Sequence, residues 1–590
     1  MGRSPSLTCF SELDPSSAIR VPAPSIPGPE LLFSPSIMTE EPHRAWRPRE
    51  RRGLGLLCVA SVAATIAGWW LFWFLTDDAF ILFRYVRNGV EGLGLVWNPA
   101  PFRPVEGYTS FLWVILLMQV WIWLGIEAPD SANTISLLFG MASLLLMSRW
   151  VLRLRLPSSH ERARVLLLAL ALLATLSNRT FLAWLSSGLE TSMFNFSVVW
   201  WLYVAWLPAS RRTASWSLQL ACAGSMAILT RPDGMLFYAA GLATITLADR
   251  AWRRSAIVAS LVPMAHLGFR WHTYGELLPN TYYAKVVAPW PQSGSIYLAS
   301  FLLEYALWLP LGFLVWWLAK ALRVPRNRGE LHWLLVASPM LAYVAYYTLI
   351  VGGDHFEYRI FSYWVFLVPV AFVAMTARLL SLRGSVAVLT LWILLSLPIP
   401  WTHWWLSHDL EERSETRYLK LPIAEEFPAW IRPAIEPWDA AQSWLVDHSV
   451  GLRHQEHKVF GAHQLQAWTL LVEGADIDAV VRPVLVWGTV GVPGWLLPDV
   501  AIVDRFGLND YVIARSPPRV RRKKRMMAHD RISPPGYDRC FMPNLRVTGK
   551  HPDFDIGGNA LVIRDRPKPL TDEIIRGCEL GDWAEHSERR

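Results

Sequence analysis

Apolar runs long enough, or nearly long enough, to cross a bilayer follow one another from Gly53 to about Leu406, separated by short polar loops. A bilayer core about 30 Å thick asks for about 20 apolar residues per crossing helix, so this pattern constrains the fold more than any single motif. The first run, Gly53 to Leu75, follows the basic stretch "HRAWRPRERR", which is expected to stay in the cytoplasm. The run stops at "TDDAF", where Asp77 and Asp78 emerge on the far side. Two carboxylates at the end of a membrane helix are costly unless water, a cation or a substrate meets them.

Composition agrees. The 590-residue chain is 53% hydrophobic and only 18% charged, against about 25% charged in an ordinary soluble protein. Its net charge of +8 lies largely in short clusters between apolar runs. That placement suits membrane orientation and argues against nucleic acid as a partner. The 33 tryptophans fit an interfacial belt against membrane lipid, and they also suit stacking on sugar rings.

Residues 1–43 are rich in Pro and Ser, lack the apolar core of a signal peptide, and read as disordered. Residues 44–406 read as a transmembrane domain whose first extracytoplasmic loop is 76–132. Within that loop "FLWVILLMQVWIWLGI" (111–126) is short and Trp-rich, which favours a helix at the outer interface over a crossing. With that choice the basic loops "ASRRTAS", "ADRAWRRS", "AKALRVPRNRGE" and "ARLLSLRGS" all fall inside. About eleven spans result, with a cytoplasmic N-terminus and an extracytoplasmic C-terminus. Residues 407–590 carry no further spanning run. They alternate short β-rich runs with Gly and Pro, so a C-terminal mixed α/β extracytoplasmic domain is expected. Cys540 and Cys578 fall there, where a disulfide is chemically permitted and its formation is left open. The expected fold class is a polytopic α-helical membrane protein with this domain appended.

On this topology one face gathers Asp77, Asp78, Arg84, Glu106, Tyr108, Glu190, Arg231, Asp233, Asn280, Tyr282, Lys285, Asp354, His355 and Arg359. A carboxylate can take a proton from an attacking hydroxyl, and cations can hold a phosphate and stabilise it as it leaves. Each feature also has a plain structural reading. "RPDG" makes a good turn, Lys285 and Arg359 can anchor helix ends near headgroups, and a carboxylate pair can mark a solvated boundary.

Together these stretches resemble a known family. "DDAFILFRYVRNGVEGLGLVWNPAPFRPVEGYTSFLW" resembles the first extracytoplasmic loop of polyprenyl-phosphate-dependent membrane glycosyltransferases of the GT-C class, closest to the terminal β-arabinofuranosyltransferases of mycobacterial cell-wall assembly. "SSGLETSMF", "TRPDG", "LLPNTYYAK", "GGDHFEYRIF", "VWGTVGVPGW", "VDRFGLNDYVIAR" and "AHDRISPPGY" follow in the order that family shows, so the resemblance spans roughly residues 70 to 540. "WNPAPFRPVEGY" departs from it, with Pro and Phe in place of a tighter Gly turn.

The resemblance implies an inverting transfer of a sugar, arabinofuranose in that family, from a polyprenyl-phosphate donor to a glycan or other hydroxyl acceptor. It implies Asp77 as general base with Asp78 beside it, and a place in the bacterial cytoplasmic (inner) membrane. Lys285 and Arg359 are then candidates for the donor phosphate, and Glu106, Tyr108, Glu190 and Asp233 for sugar hydroxyls or for orienting the cations. The resemblance makes no cofactor certain. A divalent cation is left open, because two adjacent acids alone do not make a site for one. The competing function is a transporter or flippase for a lipid-linked sugar, which would put its polar groups near mid-bilayer on broken helices.

Two motifs stand apart. "HQEHKVFGAH" (His454, Glu456, His457, His463) matches no metal-ligand spacing and reads as a solvated polar segment. "RRKKR" at 521–525 reads as an exposed basic loop. No Walker-type loop occurs, which argues against an ATP-driven pump.

Overall fold

The computed structural model describes residues 46–208, 211–248, 253–321, 330–416, 419–451, 453–477, 480–518, 525, 527, 529–549 and 559–581. The segment 1–43, and "RRKKR" apart from Arg525, lie outside them.

Helix α1 (Pro48–Leu71) begins with Pro at its first position, where no intrahelical N–H is needed, and the Glu50 carboxylate accepts from the Arg47 N–H at 2.9 Å. Its outer face leaves Leu56 72% and Trp70 77% exposed, as a lipid-facing helix requires. Among the described residues five helices are long and apolar enough to cross a membrane: Pro48–Leu71, Ala128–Arg153, Leu334–Val351, Arg359–Leu379 and Leu382–Ser407. A sixth span arises if Pro291–Glu304 and Trp308–Lys320, bent by 96°, count as one. The other stretches expected to span are helical but fall short of that test. Thr191–Ala205, Ala214–Thr230 and Met235–Ala248 have 15, 17 and 14 residues, and the 22-residue Arg253–Tyr274 carries Arg and His along its length.

The "TDDAF" segment is a helix start. Thr76 caps α2 (Asp77–Val90) by accepting from the Ala79 N–H at 3.2 Å, and Asp77 and Asp78 occupy the first turn, where the helix dipole favours negative charge. The preceding residues pair with the 186–188 turn: Thr76 N–H donates to Ser187 O and Ser187 N–H to Phe74 O. Helix α3 (Phe111–Leu124) has 14 residues. At 1.5 Å per residue that is about 21 Å, short of an upright crossing.

The C-terminal region contributes α4 (His454–Glu473), β1 (Val484–Trp487), α5 (Gly491–Leu496), β2 (Ala501–Asp504), β3 (Leu545–Thr548) and β4 (Ala560–Ile563). The strands form one sheet in the order β2-β1-β3-β4, parallel across β1/β2 and β1/β3 and antiparallel across β3/β4. A disulfide joins Cys540 to Cys578 beneath it. This region shares its core with the first loop: Phe80, Tyr85, Trp97 and Trp113 pack in one cluster with Trp468, Val490, Ile502 and Leu545.

A buried ion-pair network fastens the two parts. Arg453 binds Glu304 at 2.7 Å, Arg179 pairs with Glu357, and the Glu357 carboxylate also accepts from the His454 N–H at 2.7 Å. All four charged side chains are at most 2% exposed. Breaking such a pair leaves a buried charge uncompensated, at about 3–5 kcal/mol. The start of α4 is thereby held against the 352–361 loop.

Candidate active site

A cavity of about 580 Å³ opens where α2, the first loop, the 231–233 turn, the short helix Asn280–Lys285 and the 352–361 loop converge. Most of its lining is apolar, including Leu229, Leu236, Leu267, Leu278 and Ile350, and its charged groups gather around Asp78. His355 lies between two carboxylates, with Nε2 3.8 Å from Asp78 Oδ2 and Nδ1 3.3 Å from Asp354 Oδ1. Arg359 Nε donates to the other Asp354 oxygen at 2.9 Å. Farther along, Arg231 binds Glu190 at 3.0 Å, Asp233 at 3.0 Å and the Tyr347 hydroxyl at 2.8 Å.

The field of this cluster is positive. Burial alone would raise the Asp78 carboxyl, but His355, Lys285, Arg359 and His529 outweigh it and leave Asp78 below the usual carboxylate range. Asp354 is likewise raised by burial and driven well down by Arg359 and His355. The Lys285 ammonium is pulled below its ordinary value, chiefly by burial, with Asp78 acting against this and Arg359 reinforcing it. Lys285 has no ion-pair partner among the described residues. An ionised carboxylate, a half-buried lysine and an arginine in the lining suit an anionic headgroup continuous with an apolar tail.

The structure sorts the residues expected from sequence. Asp78, Tyr108, Glu190, Arg231, Asp233, Tyr282, Lys285, Asp354, His355 and Arg359 line this cavity together. Asp77, Arg84, Glu106 and Asn280 do not. Asp77 is 6% exposed, and its carboxylate accepts from the Gly491 N–H at 3.2 Å and the Val492 N–H at 2.9 Å, at the start of α5. A Cβ at Gly491 would come within 1.9 Å of the Asp77 carbonyl, so only glycine allows this approach. Arg84 gives its hydrogen bonds to the carbonyls of Trp97, Gly494, Leu497 and Val500, tying α2 to the C-terminal region. Glu106 is buried against Arg270 at 2.6 Å behind the cavity wall. Asn280 donates to Gly507, Leu508 and Asp510 carbonyls and accepts from Arg515.

A second chamber, about 210 Å³, adjoins the first, and Asp78 and His355 line both. It is walled by Phe356, Phe460, Phe506, Glu456, His457 and His529. This corrects the reading of "HQEHKVFGAH" as a solvated segment: His454, Glu456 and His457 are 5%, 4% and 8% exposed. The burial follows from Gly461, where any Cβ would meet Leu75 O at 2.3 Å, so α4 packs directly onto the chain entering "TDDAF". Gly461, one turn past the polar run, is the one sequence signal that could have shown this. Among the described residues no group of three His, Cys, Asp or Glu side chains converges as metal ligands do.

No family model matches the chain. Over 267 residues it is 32% identical to a terminal β-(1→2)-arabinofuranosyltransferase of Mycobacterium tuberculosis, covering 42% of each protein. Over 348 residues it is 28% identical to the protein of the same name from Corynebacterium glutamicum, covering 53% of this chain and 49% of the relative. The likeness read from the loop motifs is thus met in curated proteins, and the chain spans about half or less of their length. Among solved structures, ArnT from Cupriavidus metallidurans bound to undecaprenyl phosphate is 13% identical with a TM-score of 0.45, over 78% of this chain and 88% of that one. Its apo form gives 14% and 0.47, over 77% and 86%.

Proposed function

We propose that the chain is an inverting membrane glycosyltransferase that moves a sugar, arabinofuranose, from a polyprenyl-phosphate donor to a glycan hydroxyl at the extracytoplasmic face of the bacterial inner membrane. The observation that carries this is the juxtaposition at Asp78. An ionised carboxylate stands beside Lys285 and Arg359 at the head of an apolar cavity, with a second chamber adjoining it. The named relatives support the sugar.

The donor's polyprenyl chain lies along the apolar lining and its phosphate meets Lys285 and Arg359. The acceptor oxygen attacks the anomeric carbon while the bond from that carbon to the phosphate oxygen breaks. The phosphate leaves with the bonding pair, and the hydroxyl proton passes to Asp78. The role of base thus moves from Asp77 to its neighbour, because both Asp77 oxygens are engaged at the start of α5. His355, between Asp78 and Asp354, orients the base and adds positive charge when protonated. No step needs a covalent enzyme intermediate.

The test is transfer from a panel of synthetic polyprenyl-phosphate sugars to an oligosaccharide acceptor, comparing wild type with Lys285→Met and Asp78→Asn. Lys285→Met should raise the donor KM about tenfold or more, and Asp78→Asn should abolish turnover while donor binding persists. Binding of every donor with no transfer, together with movement of the lipid-linked sugar between leaflets, would replace this reading with a transporter.

A further inference from the structure

The first turn of α4 carries a group that the reaction described so far leaves idle. Glu456 is 4% exposed and lines the smaller chamber, and neither of its carboxyl oxygens has a hydrogen-bond partner among the described residues. Buried polar groups are nearly always hydrogen-bonded, and leaving one unmade costs about 1–3 kcal/mol. Burial pushes the Glu456 carboxyl up to about 8. At neutral pH it is therefore mostly protonated and offers one donor and an acceptor.

Two histidine rings in the same lining are neutral too. His457 Nε2 lies 3.2 Å from His355 O, and His529 Nδ1 lies 2.8 Å from Met527 O. A carbonyl only accepts, so in each ring that nitrogen carries the proton and the other is free to accept. Burial holds the two rings down, to about 3 and about 4. The chamber's arginine, Arg413, stacks on the Phe460 ring at 3.7 Å. Uncharged donors and acceptors at Glu456, His457 and His529 between aromatic walls, with the Asp77 and Asp78 carboxylates in the same lining, fit a neutral polyhydroxyl ring better than an anion. At about 210 Å³ the chamber is smaller than the about 300–1,000 Å³ of pockets for drug-sized ligands.

We propose that this chamber is the acceptor subsite: it takes the terminal sugar ring of a neutral glycan, and Glu456 hydrogen-bonds one of its hydroxyls. The proposal rests on the glycosyltransferase reading and deepens it. Asp78 and His355 line both cavities, so a hydroxyl presented here reaches the base from a chamber next to the donor's. Glu456 is a positioning residue; it shapes acceptor binding and leaves donor binding alone.

The experiment uses the full chain in nanodiscs with a short arabinofuranosyl oligosaccharide as probe acceptor, read by calorimetric binding and by transfer kinetics. Glu456→Ala should raise acceptor Kd and KM at least tenfold, with donor KM unchanged. Glu456→Gln, which keeps a neutral hydrogen-bonding group, should stay within about threefold of wild type. In wild type, the oligosaccharide should protect Glu456 from dicyclohexylcarbodiimide, followed by peptide mass, and inorganic phosphate should not. Acceptor constants unmoved by Glu456→Ala, donor and acceptor KM rising together, or no protection would each overturn the subsite. Glu456-dependent binding without transfer would sink the reaction and leave the subsite standing. Transfer indifferent to Glu456 would do the reverse.

Discussion

Asp77 and Asp78 are consecutive in the first turn of α2, yet they serve different partners. The Asp77 carboxylate accepts the Gly491 and Val492 N–H groups at 3.2 and 2.9 Å, and the Asp78 carboxylate stands 3.8 Å from His355 Nε2 in the cavity. Successive helical residues are rotated about 100° apart, so one short motif both docks the C-terminal region and supplies the reactive group.

The two substitutions should therefore separate. Asp78→Asn should lower kcat by about 10²–10⁴, the usual worth of a general base, with a smaller loss of melting temperature than Asp77→Asn. Asp77→Asn keeps an acceptor oxygen but loses the charge behind two hydrogen bonds. It should cost about 1–3 kcal/mol of stability, with kcat within about tenfold of wild type. Turnover and thermal denaturation on the same preparations check both, and the opposite pattern would return the base to Asp77.

Much of this was legible in sequence, for identifiable reasons. Loops between apolar runs can carry charge only where something meets it, so the residues lining the large cavity could be gathered without coordinates. Arg84 could not be sorted from them. Besides a longer bond to Asn98 at 3.4 Å, its partners are four backbone carbonyls, three of them more than 400 positions away, and a carbonyl leaves no mark on composition. Asn280 escaped in the same way, through the carbonyls of Gly507, Leu508 and Asp510, whereas Glu106 is taken up by the Arg270 side chain, 164 positions away. The polar run at His454–His457 misled because its burial depends on one close helix approach at Gly461.

The pH dependence of turnover should depend on occupancy. Cationic neighbours, Lys285 and Arg359 among them, hold the free Asp78 carboxyl below its ordinary value of 3.8. A bound donor phosphate offsets that charge, so Asp78 becomes more basic in the complex. The acid limb of kcat should then lie at higher pH than that of kcat/KM. The sign for folding follows from the same depression. Asp78 contributes stability above its unfolded value, and that contribution is lost as pH falls through the lower folded value. Steady-state rates across the acid range, with donor varied, provide the comparison. Coincident limbs would mean that the phosphate sits away from Asp78.

Glu106 behaves as a counter-ion and should fail as a ligand residue. It lies 2.6 Å from Arg270 Nε, with both side chains under a tenth exposed. Glu106→Gln strands a buried guanidinium and should destabilise the protein by about 3–5 kcal/mol, leaving donor and acceptor KM close to wild type at a temperature where the variant is folded. The double variant Glu106→Leu with Arg270→Leu should recover most of that loss, since it leaves neither charge alone. A large KM change in the folded single variant would put Glu106 back among the substrate ligands.

The Cys540–Cys578 disulfide should matter for stability and little for chemistry. It closes a loop across 38 positions. On the loop-entropy estimate this constrains the unfolded chain by about 3–4 kcal/mol. The bridge sits in a cluster with Val484, Val503, Tyr537, Phe541 and Ile575, on a different set of side chains from the core that packs around α2. Replacing both cysteines with serine should lower the melting temperature of the C-terminal region, and kcat at low temperature should stay within about twofold. Hydrogen exchange separates the two parts, with faster exchange expected in β3, β4 and Asp572–Leu580 and protection retained at Asp77–Val90. Equal loosening of α2 would show that the sheet and the catalytic helix unfold as one unit, and that the disulfide guards the site itself.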